Sequence, residues 1–191
     1  MPVIREVFGR LPDGREADLF VLNNRCGMEV RLTAYGALVT SLRVPDRTGR
    51  PADVVLGYDT LEEYLRFTPY FGATIGRFAG PLREARFTLD GVEYPLAANE
   101  GRHHLHGGRR GFDKVLWWAE PFEAGDEAGV RLNYTSPDGE EGYPGRLSVN
   151  LIGRRILRDT IAGRAYGDDI NIVEVLVTVP VADINPAHAG Y

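Results

Sequence analysis

Short apolar runs broken by turn-forming residues recur along this chain, which is the pattern of a protein built from strands. Asp18 to Leu22 and Met28 to Thr33 read as two strands joined by Asn23-Asn24-Arg25-Cys26-Gly27. Ala37 to Val44 is a further β-rich run, closed by the turn Pro45-Asp46-Arg47-Thr48-Gly49, and Ala52 to Leu56 reads as a short buried strand. One helix is predicted. Thr60 caps it with Glu63 at the capping-box spacing, Leu61, Tyr64 and Leu65 share its apolar face, and Pro69 stops it near Phe67. Arg86 to Leu96 predicts a hairpin, since Asp90-Gly91 suits a two-residue turn in which both residues need positive φ. Val115 to Glu120, Val130 to Ser136, Leu147 to Leu151 and Ile170 to Val179 are expected strands. Ile152 to Asp169 breaks the pattern: Arg154, Arg155, Arg158 and Arg164 are mixed with isoleucine and leucine, and Ile156, Ile161 and Ala162 roughly fit a helical face. The sum is an all-β fold, an antiparallel β-sandwich with minor helix.

Composition narrows this little. The 191 residues are enough for one sizeable domain, and 43% hydrophobic and 26% charged residues are ordinary for a soluble globular protein. Twenty-three glycines and twelve prolines agree with many turns. A net charge of -5 argues against nucleic acid or an anionic membrane as partner, both of which need a basic surface. Cys26 is the only cysteine, so no internal disulfide forms. No apolar run reaches the roughly 20 residues that span a bilayer, and the first residues carry no signal-like apolar core, so the expected location is the cytoplasm.

The densest chemistry is His103-His104-Leu105-His106-Gly107-Gly108, which holds three of the four histidines. On a strand His104 and His106 would share a face. Two imidazoles on one face suit a metal, although no third ligand is evident. The paired glycines suit a sharp turn or a close ligand at the rim of a cleft. Trp117-Trp118 offers one ring for a sugar face and one for the core. Glu140-Glu141 reads as loop surface, because adjacent residues diverge.

The chain resembles the aldose 1-epimerase (galactose mutarotase) family. The segments that carry the resemblance are Phe71-Gly72-Ala73-Thr74-Ile75-Gly76-Arg77-Phe78-Ala79, Leu89-Asp90-Gly91, Asn99, Leu105-His106-Gly107-Gly108, Gly111-Phe112-Asp113-Lys114 with Trp117, and Ser136 to Gly145, in family order and spacing. The resemblance implies a mutarotase-like β-supersandwich over residues 1–191, incomplete, with 152–167 as an atypical insertion or altered segment. It implies an isomerase that interconverts the α and β anomers of a free aldose such as galactose or glucose by acid-base ring opening, without cofactor or metal.

Carried over residue by residue, His106 matches the first sugar-facing histidine. His188, in Ile184-Asn185-Pro186-Ala187-His188-Ala189-Gly190-Tyr191, answers to the second, which is the acid. The family's Asn-Arg pair after Ala79 is replaced by Gly80-Pro81, with Arg83 and Arg86 nearby, and its aspartate and glutamate base have no counterpart in this sequence. Two other readings follow: a non-catalytic carbohydrate-binding or vestigial domain of the same fold, and, from a different class, a metal-binding protein using His103, His104 and His106. A sandwich lacking later strands would also expose sheet edges, which predicts self-association.

Overall fold

Two antiparallel sheets face each other across a shared apolar core. The structure is a computed structural model that describes residues 3–24, 27–67, 69–124, 127–156 and 173–178. The first sheet runs in chain order through β1 (Ile4–Arg10), β2 (Glu16–Asn23), β3 (Glu29–Thr33), β4 (Leu38–Pro45) and β5 (Pro51–Asp53). A short helix α1 (Leu61–Arg66) follows. Two small ribbons come next: β6 (Pro81–Leu82) pairs with β9 (His104–Leu105), and β7 (Arg86–Leu89) with β8 (Val92–Pro95). The second sheet is β10 (Trp118–Ala124), β11 (Glu127–Ser136), β12 (Leu147–Ile156) and β13 (Val173–Thr178), again in chain order.

Alternation of apolar and polar positions explains how the sheets stack. Phe20 and Leu22 of β2 and Val30 and Leu32 of β3 meet Val130 and Leu132 of β11 and Val149 and Leu151 of β12, with Phe112, Val115 and Trp117 filling the space between. Burying a side chain of this size contributes about 1.5–3 kcal/mol. A smaller cluster of Leu11, Ala17, Tyr35, Leu38, Leu61 and Tyr64 seats α1 against the first sheet. The approach is so close that a Cβ on Gly9 of β1 would lie 2.8 Å from Leu61 Cβ.

The helix starts as expected: Thr60 Oγ1 accepts from the Glu63 N–H and donates to the Glu63 carboxylate. It ends at Arg66, before Pro69. The hairpin turn is also as expected, with Asp90 at φ 50° and Gly91 at φ 77° between Leu89 and Val92.

Elsewhere the pattern misleads. Leu65 is not on the buried face, because Tyr64 fills that face together with Phe8 and Tyr58. Ala52 to Leu56 is not a buried strand: β5 covers only Pro51–Asp53 at the sheet edge, and Val54 and Leu56 are 63% and 71% exposed. The Asp53 carboxylate accepts from Ser41 Oγ and from the N–H groups of Leu42 and Val55, which turns the chain off the sheet. The strand expected at Val115 begins only at Trp118. Before it, Trp117 N–H donates to Ala34 O and Gly36 N–H to Val115 O, so this stretch bridges the two sheets. Residues 152–156 continue β12 in register with β11 instead of opening a helix; residues 157–172 lie outside the described residues. The apolar pattern gives no sign of β1, because Ile4 to Val7 are exposed at an edge and show no alternating apolar face.

Candidate functional site

His106 sits where β9 ends. Its backbone has φ 52°, and Gly107 and Gly108 follow at 88° and 100°, so the chain leaves the strand in three left-handed steps. His106 therefore does not share a strand face with His104. Gly80 grips it twice: His106 N–H donates to Gly80 O at 3.2 Å, and Gly80 N–H donates to His106 Nδ1 at 3.2 Å. A backbone N–H can only donate, so Nδ1 is the accepting nitrogen and Nε2 carries the hydrogen in the neutral ring. The half-exposed imidazole thus presents an Nε2–H donor.

Asn99, Glu141 and Gly107 fix the loop. Asn99 accepts from Leu105 N–H with Oδ1 and donates from Nδ2 to Leu105 O and Gly108 O, at 2.8, 2.9 and 3.1 Å. The Glu141 carboxylate accepts from the N–H groups of Arg109 and Arg110 at 2.9 and 3.0 Å. Gly107 packs directly on the Gly76 carbonyl, where a Cβ would lie 1.6 Å from the oxygen. Arg77, next to it, is held in turn by Ser136 and by the carbonyls of Pro137 and Pro144, which ties the Ser136–Gly145 segment to the same floor. Neither carboxylate of Glu140-Glu141 is free loop surface: Glu140 accepts from Tyr134 Oη and Ser136 Oγ, and both residues are half-buried.

Behind His106 lies a second group of polar side chains. The Tyr70 ring stands 4.8 Å from the His106 ring at 67°. The Lys114 ammonium lies 4.9 Å from the Tyr70 ring centroid and donates to Asp113 Oδ2 at 2.5 Å. Asp113 is buried, and its Oδ1 has no hydrogen-bond partner. Burial pushes the Asp113 carboxyl above its ordinary value, and the Lys114 hydrogen bond opposes this. Burial likewise raises the Tyr70 phenol, so that ring is neutral at neutral pH.

The other histidines have separate tasks. His104 is fully buried, with Nδ1 2.8 Å from Ala97 O and Nε2 2.7 Å from Tyr143 Oη. His103 Nδ1 accepts from Glu84 N–H at 3.1 Å. The three rings thus hold different partners, and among the described residues no group of three His, Cys, Asp or Glu side chains is placed to hold a metal ion. Arg86 pairs across the hairpin with Glu93 at 3.4 Å, and Arg83 is exposed in the turn after β6. Trp117 is core, donating from Nε1 to Phe112 O, while Trp118 is exposed. His188 and Cys26 lie outside the described residues. Tyr70, Asp113 and Lys114 had no site role in the sequence reading, although Asp113-Lys114 and the Phe71 segment beside Tyr70 belong to the motifs quoted there. Their convergence on His106 is a tertiary fact.

Known proteins resemble this chain in sequence and in fold. The family model described as aldose 1-epimerase matches residues 18–154. The galactose mutarotase of Sus scrofa is 49% identical over 148 residues, which is 77% of this chain and 42% of that protein. The aldose 1-epimerase of Escherichia coli (strain K12) is 34% identical over 149 residues, 78% of this chain and again 42% of that protein. Among solved structures, the galactose 1-epimerase of Lactobacillus acidophilus superposes with a TM-score of 0.69 at 27% identity, covering 80% of this chain and 44% of the other. The chain thus spans about two-fifths of the length of the relatives it matches. No helix among the described residues is long and apolar enough to cross a membrane. With a family model matched from β2 into β12 and a relative identical at nearly half of the aligned positions, this chain belongs to the aldose 1-epimerase family.

Proposed function

We propose that this chain binds a free aldose such as galactose or glucose at His106 and takes part in interconverting its anomers. The observation that carries the reading is the Gly80 N–H to His106 Nδ1 bond, which leaves Nε2–H as the donor at the loop rim. In the reaction a base takes the proton of the anomeric hydroxyl, an acid gives one to the ring oxygen, and the C1–O5 bond breaks to the open-chain aldehyde. Rotation about C1–C2 and reclosure return the other anomer. His106 would donate to a sugar oxygen, and His188 would be the acid by its family position. A histidine suits that part because its ordinary pKa of about 6.5 lies near working pH.

A second reading has its own support. Gly80-Pro81 stands where the family has Asn-Arg. Pro81 has no donor to give a sugar, which removes the bidentate grip of an arginine. That favours a domain which holds sugar weakly without turning it over.

Polarimetry of fresh α-galactose and α-glucose tests both. The first reading expects relaxation faster than buffer, with His106→Ala slowing it by about 10²-fold or more. A rate equal to buffer for the native chain, with sugar-induced shifts in its NMR spectrum, would sink catalysis and leave the binding reading standing.

A further inference from the structure

We propose that Tyr70 and Lys114 are positioning residues that hold the His106 ring against Gly80 and so set which imidazole nitrogen faces the sugar. The inference deepens the reading of His106 as the sugar-facing donor, but its test needs no sugar.

The Gly80 bond alone is a poor lock. It is a single 3.2 Å contact to a ring on a half-exposed, left-handed residue. A histidine ring turns about its Cα–Cβ and Cβ–Cγ bonds, and either turn breaks that contact. Something must wall off the alternative rotamers, and Tyr70 is in place to do so. Its ring stands 4.8 Å away and steeply inclined, the separation of an edge-to-face pair. Tyr70 is itself placed by its backbone, at φ 61°, a conformation rare for a bulky residue. It is also placed by Lys114, whose ammonium lies within cation–π reach of its ring. The ammonium has few other places to go, because it is tied to the buried Asp113 carboxylate 2.5 Å away and only 19% of its side chain is exposed. The order of support therefore runs from Asp113 to Lys114, to Tyr70, to His106. Each link is chemically distinct, so each can be cut separately.

Long-range ¹H–¹⁵N correlation spectra of the labelled full chain at neutral pH report which imidazole nitrogen carries the hydrogen. With four histidines, His106 is assigned by its loss in His106→Gln. The native chain is expected to show an unprotonated, accepting Nδ1 and a protonated Nε2. Tyr70→Leu removes the wall, and the population with Nδ1 unprotonated is expected to fall at least about fivefold relative to the other tautomer. Tyr70→Phe keeps the ring and is expected to preserve the native pattern. Lys114→Met alone would strand the buried carboxylate. The double variant Asp113→Asn with Lys114→Met removes both charges together, and is expected to loosen His106 in the same direction, while Lys114→Arg restores the pattern. Backbone amide spectra identify the variants that fold; if Tyr70→Leu does not, the double variant decides alone. A native His106 protonated on Nδ1, or a native pattern retained in every folded variant that lacks the ring or the cation, overturns the proposal.

Discussion

The sandwich core and the loop around His106 are held by different physics, and they fail differently when disturbed. In the core, Phe20, Leu132, Val130 and Leu151 are packed by shape and area, and their contacts have no direction. Volume-conserving apolar exchanges there cost little. At the loop, Asn99, Glu141 and Gly80 act through directed hydrogen bonds, and Gly107 through the absence of a side chain. The core tolerates variation in kind and punishes lost volume, whereas the loop punishes one added carbon.

The sharpest break of this comparison is Gly107→Ala. The new methyl would lie 1.6 Å from the Gly76 oxygen, so the loop or the segment around Gly76 must move. We expect a loss of at least about 4 kcal/mol, among the larger effects of single substitutions. Gly139→Ala supplies the control, since Gly139 has nearly the same φ, 82° against 88°, with nothing near its Cβ position. It should cost only about 1–2 kcal/mol, the cost of a left-handed backbone for a residue with a Cβ. Urea denaturation of both variants isolates the steric part. Equal losses would show that the loop bends around the methyl, and the contrast with the core would collapse.

Leu132→Ala comes next. Leu132 is 1% exposed between the sheets, and its truncation should cost about 2–5 kcal/mol, depending on how far the neighbours close in. Leu132→Met should cost less than about 1.5 kcal/mol. If the methionine variant were as damaged as the alanine one, directed fit and not buried volume would rule the core as well.

The two regions also differ in how well the sequence announces them. β3, β11 and β12 repeat apolar residues with period two and β2 is a continuous apolar run, so all four core strands were legible from the apolar pattern. The Asp90-Gly91 hairpin was legible because its turn chemistry is local. The edge strands of the first sheet were read less well: β1 and β5 bury too little to need an apolar face. Of the candidate site's side chains, the sequence assigns a chemical role to His106. His106 stood out through the family motif around it, yet His104, two positions away, carries the same side chain and is a fully buried structural histidine. What separates them is the positive φ at His106 and the partner each ring finds. Tyr70 and Lys114 lie 36 and 8 positions from His106 and reach it only through the fold. Period and composition carry no trace of such a meeting.

The smallest effect expected lies at the border of the two regions. Asp113 follows Phe112 in the core and supports Lys114 in the site. Its folded-state carboxyl is raised above the ordinary value by burial, against the pull of the Lys114 hydrogen bond. A raised carboxyl means that the folded chain holds this proton more tightly than the unfolded chain does. Its contribution is fully present below the ordinary aspartate value of 3.8 and is lost as pH rises through the folded-state value. Other carboxylates act the other way. Asp13 is lowered by its hydrogen bond from Arg15, and Asp46 by that from Thr48, so whole-chain stability mixes opposite trends. The stability of the native chain minus that of Asp113→Asn cancels those terms, and we expect this difference to shrink from pH 4 to pH 7 in urea midpoints. A difference that grows with pH would mean that the Lys114 ion pair outweighs burial. Asp113 would then bind the core and the site more strongly at neutral pH than in acid, and the site's support would be electrostatic where the core's is not.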